Sequence, residues 1–176
     1  MTKILVIGAN GQLGQSFQYW APYFPNVKIF FEDLPEFNLL HRDQLVHYFK
    51  STSINIVINC AAFTAVDQAE DQPEAAEQIN TGAIDSLCQL SKAYGFKLLH
   101  FSTDYVFDGS AQTPYGEDDP LSPLGVYGKT KAAGEAVMQS AGIDGWIIRT
   151  SWLFSPYGKN FVKTLFSLLH NKDEIQ

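Results

Sequence analysis

Lys3-Ile4-Leu5-Val6-Ile7 runs directly into Gly8-Ala9-Asn10-Gly11-Gln12-Leu13-Gly14, and the reading of this stretch decides the fold. An apolar run rich in β-branched residues is what a strand covered on both faces of a parallel sheet requires. Three glycines spaced three apart follow, and Gln15 to Trp20 then reads as helix until Pro22 limits it. Small residues in such a turn let the backbone approach a pyrophosphate, while the free N–H groups at the helix start face its charge. A second strand, Val27 to Phe31, ends in Glu32-Asp33, 18 and 19 residues beyond Gly14. This order favours a dinucleotide-binding unit, with Gly8, Gly11 and Gly14 at the cofactor, over a merely structural tight turn. A carboxylate at that strand end accepts a hydrogen bond from a ribose 2′-OH and repels a 2′-phosphate. Glu32 and Asp33 therefore lean toward NAD over NADP, a solvated loop charge being the other reading.

Outward from this unit the chain alternates strand and helix patterns, as a parallel α/β protein does. Asp43 to Lys50 is a short amphipathic helix, and Ile54 to Cys60 a buried-type strand closing in Ala61-Ala62-Phe63-Thr64. Alanines beyond a strand's carboxyl end admit an adenine or ribose, or serve close helix–strand packing. A long helix spans Pro73 to Ala93, with Gly95 as its stop and Ile79, Ala83, Leu87 and Leu90 as its buried stripe. Asn80 lies inside it, either solvated or holding a water or backbone group near the site. Phe96 to Phe101 then delivers Ser102-Thr103-Asp104-Tyr105 to the ligand end of the sheet, where hydroxyls polarise a carbonyl or simply cap the turn. The loop from Gly109 to Pro123 is long for a compact domain, a mark of functional loops. A helix from Tyr127 to about Gln139, ending near Gly142, leads to Trp146–Ser151, counted as a sixth strand, and to a last helix over Asn160–Leu169. The expected fold is a single α/β domain, a Rossmann-type doubly wound parallel sheet with helices on both faces. Residues 171–176 make an unconvincing domain end.

Composition excludes several function classes. The formal charge of −7 and pI of about 4.9, with no Lys/Arg cluster, lack the footprint of a nucleic-acid binder. No apolar run approaches the ~20 residues of a membrane span, and the N-terminus opens a strand rather than a signal peptide, so the cytoplasm is the expected location. Cys60 and Cys88 have no metal-ligand spacing and sit in apolar stretches as buried thiols. No metal site is expected.

Tyr127 and Lys131 stand four apart at a helix start, on one face. An ammonium beside a phenol favours the phenolate, which makes the pair a candidate acid/base; a surface pair arising by chance is the plain alternative.

The glycine turn, the Thr103 strand end and the Tyr127/Lys131 pair together resemble the extended short-chain dehydrogenase/reductases. Asn59 to Asp67, Ser102 to Phe107, Glu117 through Pro123 to Glu135, Arg149-Thr150-Ser151-Trp152 and Asn160-Phe161 are similar to the signature segments of the dTDP-4-dehydrorhamnose reductase family. The resemblance implies hydride transfer from NADH or NADPH to the C4 ketone of a dTDP-4-keto-6-deoxy sugar. It implies Tyr127 as proton donor, Lys131 as the group that lowers its pKa and binds the nicotinamide ribose, and Thr103 as donor to the carbonyl. It also places Asp104 and Trp152 at the substrate and Gln12, Leu13, Ala62, Phe63 and Thr64 at the cofactor. In place of the family's Asp-containing segment after a short third strand, this chain reads Phe37-Asn38. Family members are longer, so residues 1–176 read as an NAD(P)-binding domain lacking most of the substrate lobe, and a homodimer is the expectation for the full-length protein. Two alternatives share features: a nucleotide-sugar epimerase or dehydratase, and a non-catalytic NAD(P)-binding regulatory subunit, against which the intact Thr103, Tyr127 and Lys131 argue.

Overall fold

The computed structural model describes residues 1–171; the reading of the chain's last residues as a poor domain end falls, from Lys172 onward, outside them. β1 (Thr2–Ile7), α1 (Gln12–Trp20) and β2 (Val27–Glu32) form the opening unit, followed by α2 (Arg42–Ser51) and β3 (Ile56–Asn59). Two short helices, α3 (Val66–Asp71) and α4 (Pro73–Glu77), lead through a π-helical turn at Gln78–Gly82 into α5 (Ala83–Tyr94). β4 (Lys97–Thr103), α6 (Val126–Ala141), β5 (Gly145–Thr150) and α7 (Phe161–Asn171) follow. The strands pair in parallel in the order β2-β1-β3-β4-β5.

Side-chain alternation explains why both sheet faces carry helices. Leu5, Ile7, Val57 and Leu98 share one face and meet Leu45 and Phe49 of α2, Ile84 and Leu87 of α5 and Met138 of α6 in the main core. The opposite face carries Phe101 beneath Phe17 of α1, with ring centroids 6.5 Å apart. Each large aliphatic buried here contributes about 1.5–3 kcal/mol, so the two-sided strand pattern is what commits the chain to this layering. Gly95 and Gly142, at φ +75° and +61°, end α5 and α6 in the left-handed turn that glycine adopts without strain.

Among the described residues the sheet has five strands rather than six. Phe37 is buried, yet its segment forms a turn in which the Phe37 N–H donates to the Asp33 carbonyl and the ring packs edge-on against Tyr48 at 5.0 Å. A single apolar side chain can be buried from a turn; a strand also needs ladder partners, and this segment forms none with the edge strand β2. Because β2 and β3 flank β1, chain direction reverses there, and the carboxyl ends of β1 and β3 open the crevice in which doubly wound sheets hold ligands. Among the described residues no helix is long and apolar enough to cross a membrane.

Candidate active site

The glycine turn forms a backbone cradle over the β1/β3 crevice. Gly8 sits at φ +78°, and a Cβ there would come within 2.6 Å of the Ala61 amide nitrogen. A Cβ on Gly14 would lie 2.3 Å from the Gly8 carbonyl oxygen. Gly11 opens α1 with no side chain capping its N–H groups, and the first turn holds no acidic residue. A helix start with open donors beside backbone that no side chain obstructs fits a dinucleotide pyrophosphate. Gln12 and Leu13 form that first turn. The two acids at the end of β2 divide their tasks. Asp33 accepts from the Asn10 N–H at 2.6 Å and from the Leu34 N–H at 2.7 Å, which makes its carboxylate a brace for the turn. Glu32 offers its carbonyl to the Gly8 and Ala9 amides, and its carboxylate stands beside Tyr48, whose phenol is pushed up first by burial and then by that charge.

Thr103 closes β4, its hydroxyl accepting the Tyr105 N–H at 3.3 Å and donating to the Asp104 carboxylate at 3.2 Å. Tyr127 stands in the first turn of α6, its ring edge-on to Tyr105 at 5.6 Å. α6 approaches this closely because residue 128 is glycine: a Cβ there would be 2.2 Å from the Tyr105 carbonyl oxygen. Burial raises the Tyr127 pKa, contact with the Thr103 hydroxyl pulls it partly back, and Asp104 and Tyr105 raise it further. One turn on, Lys131 is 1% exposed, and its Nζ lies 2.6 Å from the Phe101 carbonyl and 3.3 Å from His100 Nε2. Burial pushes the ammonium down to about 8, against the opposing pull of Glu135. Burial rather than Lys131 sets the direction of the Tyr127 shift in this structure. Nζ is engaged by β4, and desolvation of the phenol outweighs its favourable contact. A phenol held above its ordinary pKa keeps its proton at neutral pH, which suits a donor.

Ala62, Phe63 and Thr64 follow the carboxyl end of β3. Asn80, in the π-helical turn, fixes this segment: its Oδ1 accepts the Phe63 N–H at 2.9 Å, and its Nδ2 donates to the Phe63 carbonyl and to Thr130 Oγ1, each at 3.1 Å. Of its two readings, the backbone-holding one is correct. Gln12 reaches across to the loop after β5, donating to the Leu153 carbonyl at 2.8 Å and accepting from Asn160 at 2.7 Å. Trp152, in that loop, adopts φ +50°, uncommon for a bulky residue, and its indole is 73% exposed and packs against Phe161. The long loop before α6 is ordered by Asp108, which accepts from Ser110 and from the Tyr115 hydroxyl. Sequence reasoning passed over His100. The available signal was a polar residue in the centre of the apolar strand Leu98-Leu99-His100-Phe101.

The doubly wound sheet thus carries an open glycine cradle at the β1/β3 crevice and gathers a Thr, a Tyr and a Lys beyond β4. Residues 1–176 match the RmlD substrate binding domain family along their whole length, and the chain belongs to it. It is 37% identical over 173 residues to a dTDP-4-dehydrorhamnose reductase of Sinorhizobium fredii, covering 98% of this chain and 58% of that relative. Crystal structures of dTDP-4-dehydrorhamnose reductases from Clostridium acetobutylicum and from Bacillus anthracis, the latter in complex with NADP, each superpose with a TM-score of 0.94. They are 38% and 36% identical, with 99% of this chain covered in both and 61% and 62% of theirs. The chain thus spans about three-fifths of the length of these relatives.

Proposed function

We propose that this chain is the cofactor-binding domain of a dTDP-4-dehydrorhamnose reductase, which reduces the C4 ketone of dTDP-4-dehydro-L-rhamnose to dTDP-L-rhamnose with NADH or NADPH. The observation that carries the reading is the meeting of the Thr103 hydroxyl and the Tyr127 phenol at the carboxyl end of β4, one helical turn from Lys131. Bound NAD(P)H would supply the hydride. The Gly8–Gly14 turn and the α1 N-terminus would hold the pyrophosphate, Glu32 the adenosine ribose, the Ala62–Thr64 segment the cofactor's edge, and Lys131 the nicotinamide ribose. Ketone reduction builds negative charge on the oxygen, which needs a proton and a hydrogen-bond donor. Tyr127 Oη gives the proton and recovers one from solvent, while Thr103 Oγ donates to the same oxygen. Asp104 and Trp152 contribute to the sugar side, completed by residues beyond this domain.

The test is NADH and NADPH oxidation with the dTDP-4-keto sugar, using this chain and one extended to the length of its relatives. In the extended protein, Tyr127→Phe should keep cofactor affinity and lose most turnover; unchanged turnover would remove Tyr127 as the acid. Turnover without added reductant, on tightly retained NAD, would instead indicate an epimerase or dehydratase. Cofactor binding with no turnover on any nucleotide sugar would indicate a regulatory subunit.

A further inference from the structure

The buried row Asn59–His100–Lys131 obeys a hydrogen-bond count that fixes where its protons sit. Asn59 and His100 are directly paired across β3 and β4, and all three residues are 1% exposed. Asn59 Oδ1 accepts the Ala61 N–H at 3.2 Å, so its Nδ2 is the atom facing His100 Nδ1, also at 3.2 Å. An amide NH2 only donates, so Nδ1 must be the bare nitrogen and Nε2 must carry the imidazole proton. Nε2–H points at Lys131 Nζ 3.3 Å away, and Nζ already donates to the Phe101 carbonyl. An ammonium has three donors and no lone pair, and would oppose N–H to N–H. A neutral amine has one lone pair for His100, one N–H for Phe101 and one left for the site.

We propose that His100 is a positioning residue for the reduction: locked as the Nε2–H tautomer by Asn59, it biases Lys131 toward the neutral amine in the cofactor-free protein, and a Lys131 that is neutral takes a proton from solvent when the anionic cofactor binds. The inference rests on the oxidoreductase reading for its consequence, though not for its geometry. Glu135, one turn along α6, pulls Lys131 toward the charged form but is neutralised by Arg149 of β5 at 2.7 Å. At the N-terminal end of α6, Glu70 of α3 accepts the Val126 N–H and Asp104 acts on Tyr127, while the π-helical turn presents the neutral Asn80 and Thr81. The burial-driven titration of Lys131 near 8 agrees with this balance. Charging Lys131 then requires His100 to move its proton to Nδ1 and the Asn59 amide to turn, releasing the Ala61 N–H beside the cofactor segment.

The first test needs no substitution: ¹⁵N correlation spectra of the imidazoles in the cofactor-free protein at about pH 9, above the Lys131 midpoint near 8, should show His100 protonated at Nε2, and an Nδ1–H tautomer there would overturn the proposal. The second follows the Lys131 ε-carbon by NMR against pH, with a midpoint expected near 8. His100→Gln, whose carbonyl accepts from an ammonium, should move that midpoint up toward the ordinary lysine range; a midpoint that stays put overturns it. Calorimetry of NADH binding in buffers of different ionisation enthalpy should show near one proton taken up at about pH 9 and little at about pH 7, from the shift between the bound and ordinary lysine pKa. Uptake that does not depend on pH would also refute the proposal. These readouts do not involve sugar turnover, so failure of the reductase reading leaves them interpretable.

Discussion

Replacing Arg149 by leucine should cost far more than an exposed ion pair would, because of what it leaves behind. Arg149 forks onto Glu135, with Nε 3.1 and 3.3 Å from the two carboxylate oxygens and Nη2 2.7 Å from Oε2. Glu135 is 0% exposed, whereas the Arg149 side chain keeps 21% of its surface in water. Exposed pairs are worth about 0–1 kcal/mol, but removing one partner of a buried pair strands the other charge and costs about 3–5 kcal/mol. Arg149 Nη1 also holds the Glu117 carbonyl at 2.9 Å, and the guanidinium lies 5.1 Å from the Phe107 ring centre, so the loop leading to Tyr127 loosens as well. For a domain of this length that loss corresponds to a fall of roughly 6–20 °C in melting temperature. The penalty should depend on pH. In Arg149→Leu the stranded carboxylate costs stability only while it is charged, so the deficit shrinks in acid and is full at neutral pH. Reversible urea denaturation followed by tryptophan fluorescence at pH 4.5 and 7.5 reads both effects. The double variant Arg149→Leu/Glu135→Leu, which strands nothing, should recover most of the loss. A single variant within 1 kcal/mol of the parent, or a double variant no better than the single, would refute the reasoning by showing that Glu135 reaches water.

Gly14→Ala should abolish NADH binding, measured by fluorescence titration, and cost about 1–3 kcal/mol, because its Cβ meets backbone at 2.3 Å and cannot rotate away. Glu32→Gln should raise the preference for NADPH over NADH, whereas Asp33→Asn should chiefly lower stability by weakening the two backbone bonds it accepts; an unaltered cofactor ratio in the first would take Glu32 out of the ribose role. Burial pushes the Cys60 and Cys88 thiols up to about 12 and 11, so at pH 8 their thiolate fractions are roughly 10⁻⁴ and 10⁻³. Both should resist disulfide reagents until urea unfolds the chain, and fast labelling of the folded protein would contradict their burial. Lys131, charged below about 8 when folded and below about 10.4 when unfolded, penalises the folded state fully below pH 8, and the penalty lifts as pH rises from 8 toward 10. Lys131→Met should lose that rise, worth about 3 kcal/mol by the linkage of pKa to stability.

What the sequence disclosed and what it withheld divide along the range of the interactions involved. The β1–turn–α1 unit was legible because strand, glycines and helix are contiguous, and the close approach of Gly14 to Gly8 is made within the turn itself. Tyr127 and Lys131 were legible as one face of a helix for the same reason. The count of six strands was one too many: the Phe37 segment is a turn that satisfies its own backbone, with Tyr48 covering the ring. The π-helical turn around Asn80 has no local signature. It exists because Phe63, 17 residues earlier, supplies both a donor and an acceptor, and because Gly134 lets α6 close to where a Cβ would be 2.3 Å from the Asn80 carbonyl. The surroundings of Lys131 were withheld for the same reason. From spacing alone an ammonium beside a phenol lowers its pKa, but the sign depends on what else engages the ammonium, and those partners, Phe101 and His100, lie 30 and 31 residues away on β4. In this site the identity of the reacting groups is a local property of the chain. Their titration is set by the sheet that buries them, so the raised Tyr127 phenol and the lowered Lys131 ammonium are both consequences of where β4 ends.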